Sequence, residues 1–255
     1  MAVVEKILNS KAMERTRRFL GMKSGVYFKL KRFSASTSTE LRTQKLLEHF
    51  KIDCVLDVGG NTGQFAESLF DFGFTGKVVS FEPVSSAYAV LEKRSQKHDK
   101  WTIAERSAIG SEAGEVEIHI SDNTVFSSIL DIKSSYVDKK PGSRVKSSEM
   151  VPIYRLDDVV GKYADMQSER ILLKIDTQGF EKHVLDGCPE LLKHVQGIKI
   201  EIPLYPIYEG VDFNFYEILD FLKERGFHPY SFNNEGVDHK IGRVNTIDGV
   251  FFRHS

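Results

Sequence analysis

A short turn, VLDVGGNTGQF, brings one carboxylic acid and three glycines together at the end of an apolar run. The acid and two of the glycines are spaced as Asp57-x-Gly59-x-Asn61-x-Gly63. Glycine permits positive φ and lets a ligand approach backbone amides that a Cβ would shield. A second acid, Glu82, ends the next apolar run, VVSFEP. The two turns together predict a ligand site at the carboxyl ends of two strands, whereas either turn alone is also typical of an ordinary solvated strand end.

The residues of the turn exclude two common nucleotide sites. The fingerprint G-x-G-x-x-G, started at Gly59, would need glycine where Asn61 and Gln64 stand, and no G-K-[ST] of a P-loop follows. A carboxylate without a lysine suits a ligand that carries an amino group and a positive charge. An acid at the position of Glu82 can accept hydrogen bonds from both ribose hydroxyls. The turn therefore predicts a nucleoside with a cationic, amino-acid-like tail, a description that S-adenosylmethionine fits.

The elements that position these acids alternate along the chain from residue 41 onward. Apolar runs such as DCVLDVG and RILLKID predict buried strands, and segments such as GQFAESLFDFG predict helices. GEVEIHIS (114–121) predicts an added antiparallel strand, and residues 131–149 predict a long surface loop. FHPYSF and VNTIDGVFFRH have no helix between them and predict an antiparallel hairpin at one edge. The pattern predicts an α/β fold with a mostly parallel sheet covered on both faces.

Length and charge limit the class of protein. The 255 residues, 41% of them hydrophobic, fit one large α/β domain or one domain with an appendage. A formal net charge of −1 argues against a protein whose whole surface binds nucleic acid. Cys54 and Cys188 are expected to be reduced core thiols. Because no apolar run is long enough for a membrane span or a signal peptide, we expect a cytoplasmic protein without a transmembrane segment.

The first 34 residues carry nine Lys or Arg and two Glu, and their apolar residues recur at helical spacing. We therefore predict a basic N-terminal helical extension, residues 1–40, before a main domain, residues 41–255. The extension is either a helix packed on the main domain with solvated charges or a docking helix for an anionic membrane surface or partner. The sequence predicts no oligomeric state.

Four segments, VLDVGGNTGQF, VVSFEP, SAIG and LLKIDTQGFEKHVLDG, resemble in order and spacing the FkbM-type S-adenosylmethionine-dependent methyltransferases. The resemblance runs from about residue 50 to residue 232. It implies a class I, Rossmann-like, seven-stranded methyltransferase fold over residues 41–255. It also implies O-methylation of a hydroxyl on a sugar, a glycan or a natural product.

The resemblance also implies roles for single residues. The cofactor-binding residues that it implies are Asp57, Gly59, Asn61 and Gly63 at the methionine end, Glu82 with its neighbours Phe81 and Pro83 at the ribose, Ser107 and Ala108 at the adenine edge, and Asp176. Asp176 and Glu181 match the acidic pair of the family. Gln178 stands where relatives often have Glu, which puts a metal-ligand or base role at that position in doubt here.

Methyl transfer from a sulfonium to oxygen is an in-line displacement, and a general base assists it by taking the hydroxyl proton. Asp176, at the end of the apolar strand RILLKID, is the first candidate for that base or for orienting the acceptor. Glu181, His183 and Glu201 are further catalytic candidates. Each has a structural alternative: Glu181 as a helix cap, His183 as a surface residue, and Glu201 as a buried acid with a partner.

A metal ion is an open question at this cluster. Asp176, Glu181 and Glu201 together could hold Mg²⁺ through oxygen ligands. No spacing signature supports such a site, so Mg²⁺ is possible but no metal site is predicted.

Three other functions remain open. A missing Tyr-x-x-x-Lys pair and the missing G-x-G-x-x-G argue against an NAD(P)-dependent oxidoreductase. The intact acids Asp57, Glu82 and Asp176 argue against a non-catalytic binding module. The missing N/D-P-P-[YFW] signature argues against methylation of nucleic-acid bases. The predicted partner is a small-molecule or glycan acceptor, with peripheral membrane contact of the basic extension left open.

Overall fold

The computed structural model describes residues 33–122, 124, 127–134, 141–205, 207–211, 213–238 and 240–254. The chain divides into two compact units, Met1–Thr43 and Gln44–Ser255. Nearly all of the predicted N-terminal extension lies outside the described residues. Its boundary after residue 40 therefore stays a prediction.

Helices and strands alternate over most of the described chain. The helices are α1 (Thr39–His49), α2 (Gln64–Asp71), α3 (Ser85–Ser95), α4 (Leu156–Val159), α5 (Glu181–Asp186), α6 (Leu191–His194) and α7 (Phe215–Glu224). The strands are β1 (Cys54–Val58), β2 (Lys77–Phe81), β3 (Trp101–Ile103), β4 (Ala108–Ile109), β5 (Gly114–Ser121), β6 (Val145–Tyr154), β7 (Ile171–Ile175), β8 (Gly197–Pro203), β9 (Phe227–Asp238) and β10 (Arg243–Arg253). Within the described residues, no helix has the length and apolar character needed to cross a membrane.

Seven strands form one sheet in the order β3-β2-β1-β7-β8-β10-β9. The five strands from β3 to β8 are parallel, β10 is antiparallel to β8, and β9 is antiparallel to β10. The predicted edge hairpin is confirmed, and so is the predicted α/β fold with a class I, Rossmann-like sheet. The strand order reverses between β1 and β7, so the carboxyl ends of these strands open the crevice where ligands bind in such folds.

Successive side chains along each parallel strand point to opposite faces of the sheet, and apolar side chains are buried on both faces. One face packs against the first three helices through Leu47, Val55, Leu69, Val78, Leu91 and Leu172. The other face packs against the later helices through Leu56, Val79, Leu173, Val184, Leu191 and Ile218. The apolar runs of the sequence are the strands that these two cores cover.

A second sheet of three strands, in the order β4-β6-β5, lies in the chain between β3 and β7. The antiparallel strand predicted over 114–121 is confirmed as β5, which pairs with β6. The segment WTIAERSAIG holds two short strands, β3 in the large sheet and β4 in the small one.

One prediction fails in the small sheet. The loop predicted over 131–149 ends earlier, because β6 already begins at Val145. Residues 145–149 have mostly exposed, polar side chains, so the sequence shows no apolar pattern there. They form a strand because their backbone pairs with the last residues of β5, from Ile118 to Ser121.

Gly187, at the end of α5, lies very close to the backbone that follows β4. A Cβ at Gly187 would lie 2.0 Å from the carbonyl oxygen of Gly110, the residue after β4. Gly187→Ala should therefore lower the free energy of unfolding by about 1–3 kcal/mol through overpacking. Urea unfolding measures the change.

Gly161→Ala is the matched control, since no atom lies within 4 Å of a Cβ there. It should leave the free energy of unfolding within about 1 kcal/mol of the wild type. Equal effects of the two substitutions would contradict the close approach.

Candidate active site

A cavity of about 690 Å³, including its open mouth, lies at the carboxyl ends of β1, β2 and β7. Its walls come from both sheets, from Thr124 and from residues 127–129. Eight of the ten residues that the sequence assigned to cofactor binding line it: Gly59, Asn61, Phe81, Glu82, Pro83, Ser107, Ala108 and Asp176. Residues from four separate motifs therefore meet at one site.

Glu82 lines the cavity and is 5% exposed. Its Oε2 accepts a hydrogen bond from the backbone N–H of Asn61 at 2.7 Å, and its Oε1 accepts one from that of Val84 at 2.8 Å. Burial raises the pKa of Glu82 to about 7, although these two hydrogen bonds oppose the rise. Each carboxylate oxygen keeps a further lone pair that can accept a ligand hydroxyl.

The backbone amides of the glycine turn bond within the protein. Gly59 and Gly60 both donate to the carbonyl oxygen of Phe81 at 3.0 Å. Gly63 has φ 91°, and a Cβ there would meet the ring of Trp101 at 2.6 Å. The turn therefore requires these glycines chiefly for close packing and for positive φ, and Gly63 lies away from the cavity wall.

Asp57 also lies beneath the turn and does not line the cavity. Its carboxylate is fully buried, accepts from Ser80 Oγ at 2.8 Å and lies 3.0 Å from Lys174 Nζ. The sequence assigned Asp57 and Gly63 to the methionine end of a cofactor. In this structure the Asp57 side chain lies beneath the turn and Gly63 packs within it against Trp101, and a direct ligand contact of either stays a prediction.

Lys174, in β7, is a buried cation that the sequence analysis did not consider. Its Nζ donates to the carbonyl oxygen of Gly59 at 2.7 Å and lies 3.6 Å from Asp176 Oδ2, in addition to its pair with Asp57. Although burial disfavours its charge, the carboxylates of Asp57 and Asp176 raise the pKa of Lys174 above its ordinary value. Lys174 thus ties the turn after β1 to the acid after β7.

Asp176 faces the cavity with 39% of its side chain exposed. Burial of the group opposes ionisation, but Lys174, Lys199 and the amide of Gln178 together hold the pKa of Asp176 below its usual value. The structure therefore presents an ionised carboxylate at the cavity wall.

Glu201, in β8, lies near Asp176, and its pKa is shifted in the opposite direction. Burial, with repulsion from Asp176 and Glu181, raises the pKa of Glu201 well above its usual value. Gln178 bridges the two acids: its Nε2 donates to Asp176 Oδ1 and to Glu201 Oε2, each at 2.8 Å. Glu201 is thus beside the site through Gln178, but it does not line the cavity.

Glu181 lies at the start of α5 and binds the turn before it. Its Oε1 accepts from the backbone N–H of Thr177 at 3.0 Å and from that of Gly179 at 3.1 Å, and burial raises the pKa of Glu181 to about 7. These bonds hold the turn before α5, and among the described residues no side chain caps the start of the helix at Phe180. A catalytic role for Glu181 stays a prediction.

His183 is an exposed residue of α5 that the structure does not bring to the cavity. Its ring stacks on Phe180 with 4.1 Å between ring centroids, and Nδ1 lies 3.4 Å from Ser111 Oγ. These contacts match the surface role that the sequence left open for it.

Two residues of the site, Lys174 and Thr124, were not identified from the sequence. Lys174 had a signal, because a lysine inside the apolar run RILLKID must find an anionic partner if it is buried. Two other segments were identified. The family resemblance implies that FSSIL (126–130) passes near the cofactor, and its residues 127–129 line the cavity. Tyr208, in the segment PLYPIYEGVDF, was expected either over the site entrance or in loop packing, and its hydroxyl donates to Gln178 Oε1.

Within the described residues, no group of three or more His, Cys, Asp or Glu side chains is arranged to hold a metal ion. Two oxygens of the candidate acidic cluster already accept from Gln178, and one oxygen of Glu181 accepts from backbone amides. The geometry of Asp176, Glu181 and Glu201 is thus that of a hydrogen-bonded network.

The family follows from a comparison of sequences. The sequence model of the methyltransferase FkbM domain matches residues 57–229, which is more than half of the chain. The chain belongs to the FkbM methyltransferase family. It is an S-adenosylmethionine-dependent methyltransferase, and the resemblance stated above is confirmed.

Solved structures are similar to this methyltransferase at low identity. A proposed S-adenosylmethionine-dependent methyltransferase from Listeria monocytogenes is 9% identical with a TM-score of 0.46, over 85% of this chain and 98% of its own. A proposed rRNA methylase from Clostridium thermocellum is 14% identical with a TM-score of 0.43, over 89% of this chain and 99% of its own. A search of curated proteins finds no match. The family assignment depends on the match over residues 57–229.

The buried pair of Lys174 and Asp57 generates a prediction. Lys174→Met removes the cation and leaves Asp57 as an uncompensated buried charge. The free energy of unfolding should fall by about 3–5 kcal/mol, measured by urea unfolding.

Lys45→Met is the matched control, because Lys45 pairs with Glu48 at a position where its side chain is 60% exposed. This change should alter the free energy of unfolding by less than about 1 kcal/mol. A Lys174→Met variant as stable as Lys45→Met would show that the buried pair does not hold the turn.

Proposed function

We propose that this methyltransferase transfers a methyl group to a hydroxyl of a small sugar, glycan or natural-product acceptor. The observation that carries the proposal is the carboxylate of Asp176, which lines the same cavity as Glu82 and the hydroxyl groups of Thr124, Ser127 and Ser128.

The cavity residues fit S-adenosylmethionine along its length. Glu82 has lone pairs left to accept the ribose hydroxyls. Ser107 and Ala108 lie beside apolar side chains, including Ile118 and Phe180, that suit an adenine ring. The carboxylate of Asp176, on the wall of the same cavity, suits a ligand that carries a positive charge.

The hydroxyl groups of the cavity lining suit an acceptor with several hydroxyl groups. Thr124, Ser127 and Ser128 line the cavity, and so does Gln178, whose amide is already paired within the protein. Thr124 Oγ1 also donates to Asn61 Oδ1 at 3.3 Å, which links Thr124 to the glycine turn. Hydroxyl groups can both donate to and accept from a sugar or polyol. A small-molecule or glycan partner therefore fits better than a nucleic-acid duplex.

When bound, S-adenosylmethionine supplies a methyl group on a sulfonium, and the S–C bonding pair leaves with the sulfur. In our proposal, Asp176 accepts a hydrogen bond from the acceptor hydroxyl and takes its proton as the new C–O bond forms. The hydroxyl becomes strongly acidic during this step, so a carboxylate with a lowered pKa is an adequate proton acceptor. Lys174 and Gln178 hold the carboxylate in place.

The ionisation of the Glu82 carboxyl group should make cofactor binding depend on pH. The ribose hydroxyls donate to the ionised form, so affinity is full above the pKa of about 7 and falls as the pH drops below it. We expect the Kd of S-adenosylhomocysteine to rise about tenfold between pH 8 and pH 6, measured by calorimetric titration.

Glu82→Gln removes the titrating group. Its affinity at pH 8 should be about tenfold lower or worse, with little change down to pH 6. Glu92→Gln, an exposed change in α3, should keep the wild-type profile. A wild-type affinity independent of pH would contradict the contact with Glu82. Tight binding of NAD without binding of S-adenosylhomocysteine would contradict the assigned cofactor site.

O-methylation is tested by transfer of a labelled methyl group to a panel of sugars, nucleotide sugars and macrocyclic polyols. We expect a labelled methyl ether in the product of one of these classes. With that acceptor, Asp176→Asn should lower kcat by about 10²–10⁴-fold, since the proton acceptor is lost. A labelled N-methyl or C-methyl product, or an Asp176→Asn variant with full kcat, would contradict the proposal.

A further inference from the structure

Gln178 occupies an unusual position in the turn between β7 and α5. It is a non-glycine residue with φ 55°, in the left-handed region. Its backbone carbonyl accepts from Ser128 Oγ at 2.7 Å, and its side-chain Oε1 accepts from Tyr208 OH at 2.8 Å. A bulky residue held at positive φ by contacts on both its backbone and its side chain marks a position where the structure requires a particular side-chain direction.

The partners of the amide determine which way it faces. A carboxylate accepts hydrogen bonds when ionised, and a primary amide has two N–H donors on one nitrogen. Nε2 donates one of these hydrogens to Asp176 and the other to Glu201, while the phenol of Tyr208 donates to the remaining oxygen. All of these polar atoms are paired, and the reversed amide would place its oxygen against two carboxylates.

Other charged groups leave a local excess of acid around this bridge. Lys174 is shared between Asp57 and Asp176, and Lys199 pairs with Asp248. Glu181 adds a further carboxyl group to the electrostatic surroundings of Glu201. The acids that face the bridge thus outnumber the lysines.

We propose that Gln178 is a positioning residue, a neutral double donor that fixes Asp176 and Glu201 together where a carboxylate would require a bound proton or a divalent cation. The inference concerns the same cavity as the proposed function and adds to it. In this proposal, the amide of Gln178, held by the phenol of Tyr208, determines the orientation of the Asp176 carboxylate.

The nearly isosteric change Gln178→Glu tests this directly. It places a third carboxylate against Asp176 and Glu201, and like charges raise the pKa values of such acids. An acid whose pKa is raised by folding stabilises the folded state at low pH, and this stabilisation is lost as the pH rises through the raised value. Oxygen ligands from three carboxylates are also the kind that Mn²⁺ and Mg²⁺ bind.

The experiment measures unfolding temperatures at pH 6 and pH 8, in EDTA and in MnCl₂. For Gln178→Glu in EDTA at pH 8 we expect an unfolding temperature roughly 4 °C or more below the wild type. Lowering the pH to 6 or adding MnCl₂ should recover most of this loss. Calorimetric titration of the variant should show saturable Mn²⁺ binding with a Kd on the order of 10⁻⁴ M. Because the wild type itself contains acids with raised pKa values, including Glu82 and Glu181, each loss is the difference from the wild type at the same pH. The wild type should show no Mn²⁺ binding.

Gln96→Glu, an exposed change of the same type after α3, should behave as the wild type throughout. Gln178→Asn is the second test, because asparagine tolerates positive φ but is too short to reach both acids. It should also lose stability at pH 8 and recover part of it at pH 6. It keeps the proposal testable if the Gln178→Glu variant fails to fold.

The proposal is overturned if Gln178→Glu and Gln178→Asn lose the same stability at pH 6 and pH 8 with no response to MnCl₂. It is equally overturned if the wild type binds Mn²⁺ as the glutamate variant does. None of these measurements needs a cofactor or an acceptor. Failure of the wild type to bind S-adenosylhomocysteine would instead count against the proposed function alone.

Discussion

The buried ammonium of Lys174 is the interaction on which the site depends. It lies between the carboxylate of Asp57 below the glycine turn and that of Asp176 at the cavity, and it also binds the carbonyl oxygen of Gly59. A cation in this position is stable only because anions surround it. The same cation helps to keep Asp176 ionised, so one side chain couples the shape of the turn to the charge of the proposed catalytic group.

The strand order explains why these groups meet. β1 and β7 are neighbours in the sheet but are far apart in the sequence, since the chain first builds β2, β3 and the small sheet. Their carboxyl ends therefore lie side by side at the point where the strand order reverses. The small sheet then supplies part of the cavity wall, so the cavity exists only after both sheets have formed.

The sequence predicted the fold well because the parallel strands are short apolar runs with turn residues at their ends. It also placed Glu82, Ser107 and Asp176 at one site, since motifs at strand ends converge in such a sheet. The direction in which a side chain points was harder to predict. The sequence predicted that Asp57 faces the ligand. Its side chain lies beneath the turn instead, because the alternation of side chains along β1 directs it toward Ser80 and Lys174.

The features that sequence reasoning missed depend on contacts between distant segments. The donors to Gln178 include Tyr208 and Ser128, and the sequence did not predict that these two residues meet the same glutamine. The early start of β6 at Val145 likewise depends on pairing with β5 and not on any apolar pattern. Such pairings cannot be predicted from the residue types of one segment alone.

A crystal structure of the protein with S-adenosylhomocysteine would test the assigned cofactor site most directly. We predict ribose hydroxyls within hydrogen-bond distance of Glu82, adenine beside Ser107 and Ala108, and the sulfur at the end of the cavity that Asp176 faces. A ligand bound elsewhere, or a cavity without density in crystals grown at saturating ligand, would contradict it.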